Sequence, residues 1–316
     1  MKVDKSETMY TQILKDKMLD EALDQKGYVV VPFLNTEEVK ALVDLFEQTH
    51  PTAKEGLYAS AHAESYELKK GLSDGIMQQF SRAVNEIFYE CRPLGGSYIV
   101  KYKGERGVLY PHQDWGIVDE DNHRSFNIWV PLVDTTEDNG AISVLPASHK
   151  LIKSYRGVNI PDPYYKSNSY AWKFHETLLM KAGHALIYDH RLLHASAVNT
   201  TDKARMAVVF GIVSQNAELR YFYRNGDKVE LYEIDVDYFF NNDFQKGPNG
   251  LKKVKEVDYD FPVVSDEEFD FLYFGKTRPK QEAVAEEIKE TASPSIPQTE
   301  QQTKSIFKKF IDWLAN

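Results

Sequence analysis

The 316-residue chain has one cysteine, no long apolar run, and fewer basic than acidic residues. Each shortage excludes something. Cys91 has no partner for an internal disulfide, which suits a reducing cytoplasm, and it is expected as a small packing residue at the end of a helix. No stretch reaches the roughly 18 apolar residues that a membrane-spanning helix needs. Lys and Arg total 38 against 48 Asp and Glu, for a net charge of −10, so no phosphate-backbone partner is expected and nucleic acid is excluded. The opening "MKVDKSETMYTQILKDKMLDEAL" scatters charge throughout and lacks the apolar centre of a signal peptide. Internal repeats and a glycine-rich phosphate loop are also missing.

What is present is packing material. The chain is 42% hydrophobic and 13% aromatic, with 19 Tyr and 17 Phe, enough for a large domain with a substantial core. The first ninety residues read as helices with one strand inserted. "KGYVVVPFL" (26–34) is the strand. "NTEEVKALVDLFEQT" (35–49) then opens with Asn35 as cap and Glu38 three residues on, a capping box, followed by Val39, Leu42, Val43 and Phe46 at helical spacing. "SDGIMQQFSRAVNEIFYEC" (73–91) is expected as an amphipathic helix.

From about 97 to 214 the pattern changes to short strands: "SYIVKYKG", "VLYPHQDW", "SFNIWVPLVD", "GAISVLPAS", "ETLLMKAG", "HALIYDHRLLH" and "ARMAVVFGIVS". In 125–134, Phe126, Ile128, Val130 and Leu132 fall on one face, with Asn127 and Trp129 on the other. This density predicts a mainly β fold with flanking helices (α+β), its core a sandwich or jelly roll. Residues 217–275 hold 14 acidic and 7 basic residues, yet they are full of aromatics and are expected to fold onto the core. Residues 1–278 are therefore expected as one domain, followed by a disordered polar linker at 279–303. The closing "KSIFKKFIDWLAN" (304–316) is predicted as an amphipathic helix suited to docking on a partner or a membrane surface.

Within "YPHQDWG" (110–116), His112 and Asp114 are two residues apart. On a strand they share a face, with Cα atoms about 6.5–7 Å apart, while Gln113 points away. They are either a polar pair on a wet sheet face or two arms of a metal site. Two imidazoles and a carboxylate on one face of an octahedral ion form the facial triad of non-haem Fe(II) oxygenases. The second imidazole is expected from "YDHRLLHASAVN", where His190 and His194 share strand parity and spacing alone does not separate them. In "ARMAVVFG", Arg205 shares a face with Ala207 and Val209, so it projects from an otherwise apolar strand and requires a partner. That partner is an internal carboxylate or a bound dicarboxylate gripped by its fork.

The order His112-x-Asp114, His194 and, eleven residues on, Arg205 resembles the phytanoyl-CoA dioxygenase family of Fe(II)/2-oxoglutarate oxygenases. "NGAISVLPASHK" (139–150) is similar to that family's Asn-Gly and Pro-Gly-Ser-His segment, with Ala147 in place of the usual glycine. "HASAVNTTDKAR" and "KGYVVVPFLNTEEVKAL" fit as well, so the likeness covers roughly residues 25–214 and favours His194 over His190.

The resemblance implies a double-stranded β-helix of the cupin type, with His112, Asp114 and His194 on Fe(II). It implies 2-oxoglutarate chelating the iron, its far carboxylate held by Arg205, with Ser196 nearby and Lys101, Tyr102 or Asn127 as further contacts. Gln113, Trp115 and Trp129 are candidates for the substrate pocket. The implied reaction uses O2, converts 2-oxoglutarate to succinate and CO2, and hydroxylates a small-molecule or lipid-like substrate. Asp114 favours hydroxylation, since related halogenases replace that carboxylate with a small residue. Desaturation, epimerisation or ring closure would need the same ligands. A non-catalytic binding module docking through its tail helix is the reading from another class. Asp189 is expected at the surface, His149 as structural on local backbone, and His50, His62, His123, His175 and His184 as ordinary surface or core histidines.

Overall fold

Asp16 opens helix α1 (Lys17–Lys26) by accepting the N–H groups of Met18 and Leu19, and Gly27 closes it in the left-handed region at φ 83°. This is a computed structural model, and it describes residues 12–49, 55–241 and 246–277. His50, the expected linker and the expected tail helix lie outside those residues. Strand β1 (Tyr28–Pro32) follows, then helix α2 (Thr36–Glu47) with the Asn35–Glu38 capping box formed in both directions. A short strand β2 (Leu57–Ala59) leads to helix α3 (Tyr66–Ile87), which Ser65 caps.

Helix α3 starts earlier and stops sooner than its periodicity predicts. Phe88 is extended at φ −101°, Leu14 bridges to it, and Tyr89 donates its N–H to Ile13. Pairing with the N-terminal segment thus overrides helix propensity. Cys91 does not end a helix. It is the half-buried first residue of strand β3 (Cys91–Lys101), opposite Ser214, and burial raises its thiol pKa.

The chain continues through β4 (Leu109–His112), β5 (Ser125–Pro131), β6 (Ile142–Val144), the single turn α4 (Asn168–Ala171), β7 (Glu176–Thr177), β8 (His184–Asp189), β9 (His194–Ser196) and β10 (Arg205–Ser214). A six-stranded sheet of order β1-β8-β5-β10-β3-β2 and a four-stranded sheet of order β4-β9-β6-β7 result, antiparallel throughout. Trp129, Leu186, Tyr188 and Ala207 of the larger sheet pack directly on Ile142 and Val144 of the smaller one. The two sheets therefore face each other, as in a jelly roll. On the outer face of the larger sheet, Phe126, Ile128, Val130, Val208 and Phe210 pack against Leu23, Leu42, Phe46, Ile76 and Phe80 of the helices. Each such fully buried side chain contributes about 1.5–3 kcal/mol through burial.

Several expected strands are shorter than read, with 140–148 reduced to Ile142–Val144 and 176–183 to Glu176–Thr177. The 108–115 strand ends at His112, so Asp114 lies just beyond the ladder. The 184–194 run is two strands in two different sheets. The Asp189 carboxylate accepts the Arg191 N–H at 2.9 Å and Leu192 donates to the Asp189 carbonyl, turning the chain at 190–193. His190 and His194 therefore do not share one strand, and the parity count across them fails.

Residues 217–275 form a third sheet and two helices: β11 (Arg220–Asn225), β12 (Lys228–Glu233), α5 (Tyr238–Asn241), β13 (Lys252–Asp258) and α6 (Asp266–Phe274), with strand order β11-β12-β13. They are folded onto the barrel. Leu219 packs with Leu94, Val118 and Val213, and Phe269 of α6 is fully buried against Tyr164, Ala171 and Leu193. Among the described residues no helix is long and apolar enough to cross a membrane.

Candidate metal centre

Strand pairing brings the two imidazoles together. His112 at the end of β4 lies opposite His194 at the start of β9, and their rings sit 4.3 Å apart between centroids. In each, Nδ1 faces a backbone carbonyl two residues earlier: Tyr110 at 2.7 Å and Leu192 at 3.0 Å. A carbonyl only accepts, so Nδ1 carries the proton in both rings and Nε2 is left with its lone pair. Asp114 brings Oδ1 to 3.9 Å from the His194 Nε2. One ligand atom from each of the three residues lies within 4.8 Å of the other two, close enough for one ion to engage all three.

The electrostatics suit a divalent cation. Burial, helped by His194, pushes the His112 ring down to about 4, so it is neutral at pH 7. Burial alone would raise the Asp114 carboxyl. The nearby imidazoles of His194, His190 and His112, together with the Asn127 hydrogen bond, outweigh it and hold the pKa below the usual carboxylate value. A carboxylate beside two imidazoles is the donor set of a metal site with open positions.

Asp114 is held from several sides. Its N–H donates to the His190 carbonyl at 2.9 Å. Its carbonyl accepts the Arg156 Nε–H at 2.7 Å, and its Oδ2 accepts the Asn127 amide at 2.8 Å. That same amide lies 3.4 Å from the Tyr188 hydroxyl, and the Tyr188 ring packs 4.8 Å from the His194 ring.

The barrel interior also holds an unusual pair of basic side chains. Arg205 of β10 stands directly across from Lys101 of β3. Arg205 is 2% exposed, its Nε has no hydrogen-bond partner, and its guanidinium lies 5.1 Å over the Trp129 ring. No carboxylate among the described residues pairs with it. Burial pulls its pKa down to about 10, so it stays charged at pH 7. A buried unpaired cation costs several kcal/mol, and a dicarboxylate ligand would offset that cost. Lys101 donates to the carbonyls of Ser196 at 2.9 Å and Ala197 at 2.6 Å. The Ser196 hydroxyl is buried and donates to the Gly140 carbonyl at 2.8 Å.

Other candidates fall elsewhere. Tyr102 turns away from this interior, its ring packed in the outer core beside the helices, because neighbouring residues of a strand alternate faces. Asn127 donates its amide to Asp114. Gln113 is buried and its amide is tied to the Arg191 carbonyl. Trp115 is 38% exposed and lies against β11 and α5, beside Tyr221, Phe222 and Phe239. Asp189 is not a surface carboxylate: it is buried and paired with Arg191, which drives its pKa far down against the opposing effect of burial. His149 contacts the Asp24 carbonyl of α1 at 2.9 Å, a distant and not a local backbone group.

Three residues near the centre escaped the sequence reading. Tyr188 looks like any core aromatic, and only its register opposite Asn127 places it here. Arg156 sits 42 positions from Asp114 with no motif around it. His175 is half-buried, with Nδ1 3.4 Å from the Ser143 hydroxyl and Nε2 unpartnered; burial, then His194, pushes its pKa down to about 3. Nothing local in the sequence marks any of them.

A family model described as Phytanoyl-CoA dioxygenase (PhyH) matches residues 23–207. Curated relatives include a phytanoyl-CoA dioxygenase of Arabidopsis thaliana, 31% identical over 146 residues that make up 44% of this chain and 50% of the relative. Another is phytanoyl-CoA dioxygenase 1 of Oryza sativa subsp. japonica, 28% identical over 153 residues, 44% of this chain and 53% of the relative. The chain spans about half the length of these curated relatives. A solved structure of the epimerase SnoN with Fe3+, alpha ketoglutarate and nogalamycin RO is 18% identical, with 78% of this chain and 96% of that chain covered and a TM-score of 0.48.

Proposed function

The chain belongs to the phytanoyl-CoA dioxygenase family of Fe(II)/2-oxoglutarate oxygenases, and we propose that it oxidises a small-molecule or lipid-like substrate by hydroxylation. In this reading His112 and His194, through Nε2, and the Asp114 carboxylate would hold Fe(II). Arg205 takes the far carboxylate of 2-oxoglutarate, with Trp129 against its guanidinium, Lys101 across from it on β3, and Ser196 of the facing sheet tied to the Lys101 amine through its carbonyl. When bound, iron and 2-oxoglutarate supply the oxidising power for attack on a substrate C–H bond, with O2 consumed and succinate and CO2 released.

The protein's own part is positional. The Tyr110 and Leu192 carbonyls fix both imidazole tautomers, and Asn127 orients the carboxylate. Val144, Leu186 and Tyr188 are buried in one apolar cluster with Trp129, and beside such side chains the Arg205 charge is poorly screened and favours an anion. The retained Asp114 supports hydroxylation over halogenation. The 217–275 segment is assigned to shaping the substrate entrance, since Phe222, Leu231 and Tyr259 line a cleft of about 480 Å³ that reaches Gly116, two residues past Asp114.

The observation that carries this reading is the convergence of His112, Asp114 and His194 within 4.8 Å. Anaerobic addition of Fe(II) and 2-oxoglutarate to the apo-protein tests it. A weak visible charge-transfer band is expected, absent in Asp114→Ala and displaced to higher 2-oxoglutarate concentration in Arg205→Ala. Metal-loaded, folded protein without the band would sink it.

A further inference from the structure

Asp114 lies beyond the last paired residue of β4, so the ladder that fixes His112 does not fix it. The His190 carbonyl holds the Asp114 N–H at 2.9 Å, and the Asp114 carbonyl needs a partner of its own. Arg156 is that partner, from a loop 42 residues away: its Nε–H donates to the Asp114 carbonyl at 2.7 Å, and its own carbonyl accepts the Gly116 N–H at 3.2 Å. The two exchanged bonds clamp residues 114–116 from both ends. The guanidinium is itself immobilised. Nη1 and Nη2 grip the Glu120 carboxylate at 2.9 and 2.6 Å, and Nη1 also donates to the Ser154 carbonyl at 3.0 Å. The Arg156 side chain is 5% exposed and that of Glu120 is 19% exposed, so the pair is largely shielded from competing water.

A bidentate, shielded guanidinium–carboxylate pair is stiff. It has no reason to meet the backbone of a metal-site carboxylate unless that backbone needs holding. We propose that Arg156, braced by Glu120, is a positioning residue that sets the rotational pose of Asp114 toward the His112 and His194 Nε2 atoms. This rests on the assignment of the three residues as metal ligands. The same ion pair lines the cleft beside Gly116, so the side chains that hold Asp114 also face whatever enters there.

The test is anaerobic titration with Co(II) as a visible-absorption probe, run on wild type, His112→Ala, Arg156→Gln, Arg156→Lys and Glu120→Gln, with thermal unfolding of each apo-protein alongside. Removing a group that orients a metal ligand typically weakens metal binding about 10–100-fold. Arg156→Gln is expected to fall in that range with a changed d–d spectrum, and Glu120→Gln to lose less because the guanidinium stays. Arg156→Lys keeps the charge without the fork and is expected to recover little. Unchanged Co(II) affinity and spectrum in a folded Arg156→Gln overturn the proposal and leave the pair as ordinary structure. If Arg156→Gln does not fold, Glu120→Gln decides on the same criterion. Wild type that binds Co(II) no better than His112→Ala would instead overturn the metal assignment, a result distinguishable from the others.

Discussion

Arg205 and Lys101 face each other across neighbouring strands, both buried, with no carboxylate among the described residues paired with either. Burial, and then the Arg205 charge, pull the Lys101 amine down to about 6 from its ordinary 10.5. Between those values the unfolded chain binds a proton that the folded protein does not. Stability therefore rises with pH from about 6 to 10.5, and the penalty is full below pH 6. Lys101→Met is expected to flatten that rise by up to one proton's worth of slope. Urea midpoints at pH 6, 7, 8 and 9 for the two proteins check it. Parallel curves would mean that the amine is charged in the folded state.

Arg205 predicts a conflict between stability and binding. Without an anion the guanidinium is a buried charge with an unsatisfied Nε. Replacing a buried charge by an apolar side chain of similar size is often stabilising, by about 1–4 kcal/mol. Arg205→Met is thus expected to raise the denaturation midpoint measured without 2-oxoglutarate while abolishing the further rise that 2-oxoglutarate gives wild type. A less stable variant would show that the guanidinium already has a partner in the empty protein.

Much of the frame was legible because it follows from period and capping. The Asn35–Glu38 box and the Phe126, Ile128, Val130 alternation report directly on α2 and on the outer face of β5. What was not legible comes from contacts between distant residues. The 190–193 turn forms because Asp189 captures Arg191, in a run whose composition reads as unbroken strand. Asp114 leaves its strand and is held by Arg156 and Asn127, neither of which is near it in sequence. Helix α3 stops at Ile87 because Ile13 and Leu14 reach Phe88 and Tyr89. Tyr188 is a core aromatic by every local measure, and only the β5–β8 register brings its hydroxyl to Asn127.

Ala147, the one departure from the family pattern in "PASHK", carries a cost. It is the only non-glycine residue at positive φ among those described, at 61°. The left-handed conformation costs an L-residue about 1–2 kcal/mol, and glycine gives back about 0.5–1 kcal/mol of that through its extra unfolded-state freedom. Ala147→Gly is expected to stabilise by about 0.5–1 kcal/mol, because the Ala147 N–H bond to the Lys26 carbonyl is retained. Denaturant unfolding at pH 7 measures the difference. A loss of stability would mean that packing of the methyl group outweighs the backbone strain.

His190 and His194 were equivalent by spacing, and the structure separates them by what their rings do. His194 has Nδ1 on a carbonyl and Nε2 in the three-residue cluster. His190 is 4% exposed with both ring nitrogens unpartnered, and it reaches Asp114 through its backbone carbonyl. An apolar side chain of similar size keeps that carbonyl and removes two unsatisfied polar atoms, a change that is near neutral or stabilising. His190→Leu is therefore expected to hold wild-type stability and to change Co(II) affinity by no more than about threefold. His194→Leu is expected to lose at least about 100-fold in the same titration, as removal of a ligand must exceed the 10–100-fold cost of removing its support. Equal losses in the two variants would return His190 to the ligand set, with the turn at 190–193 then having to open to deliver it.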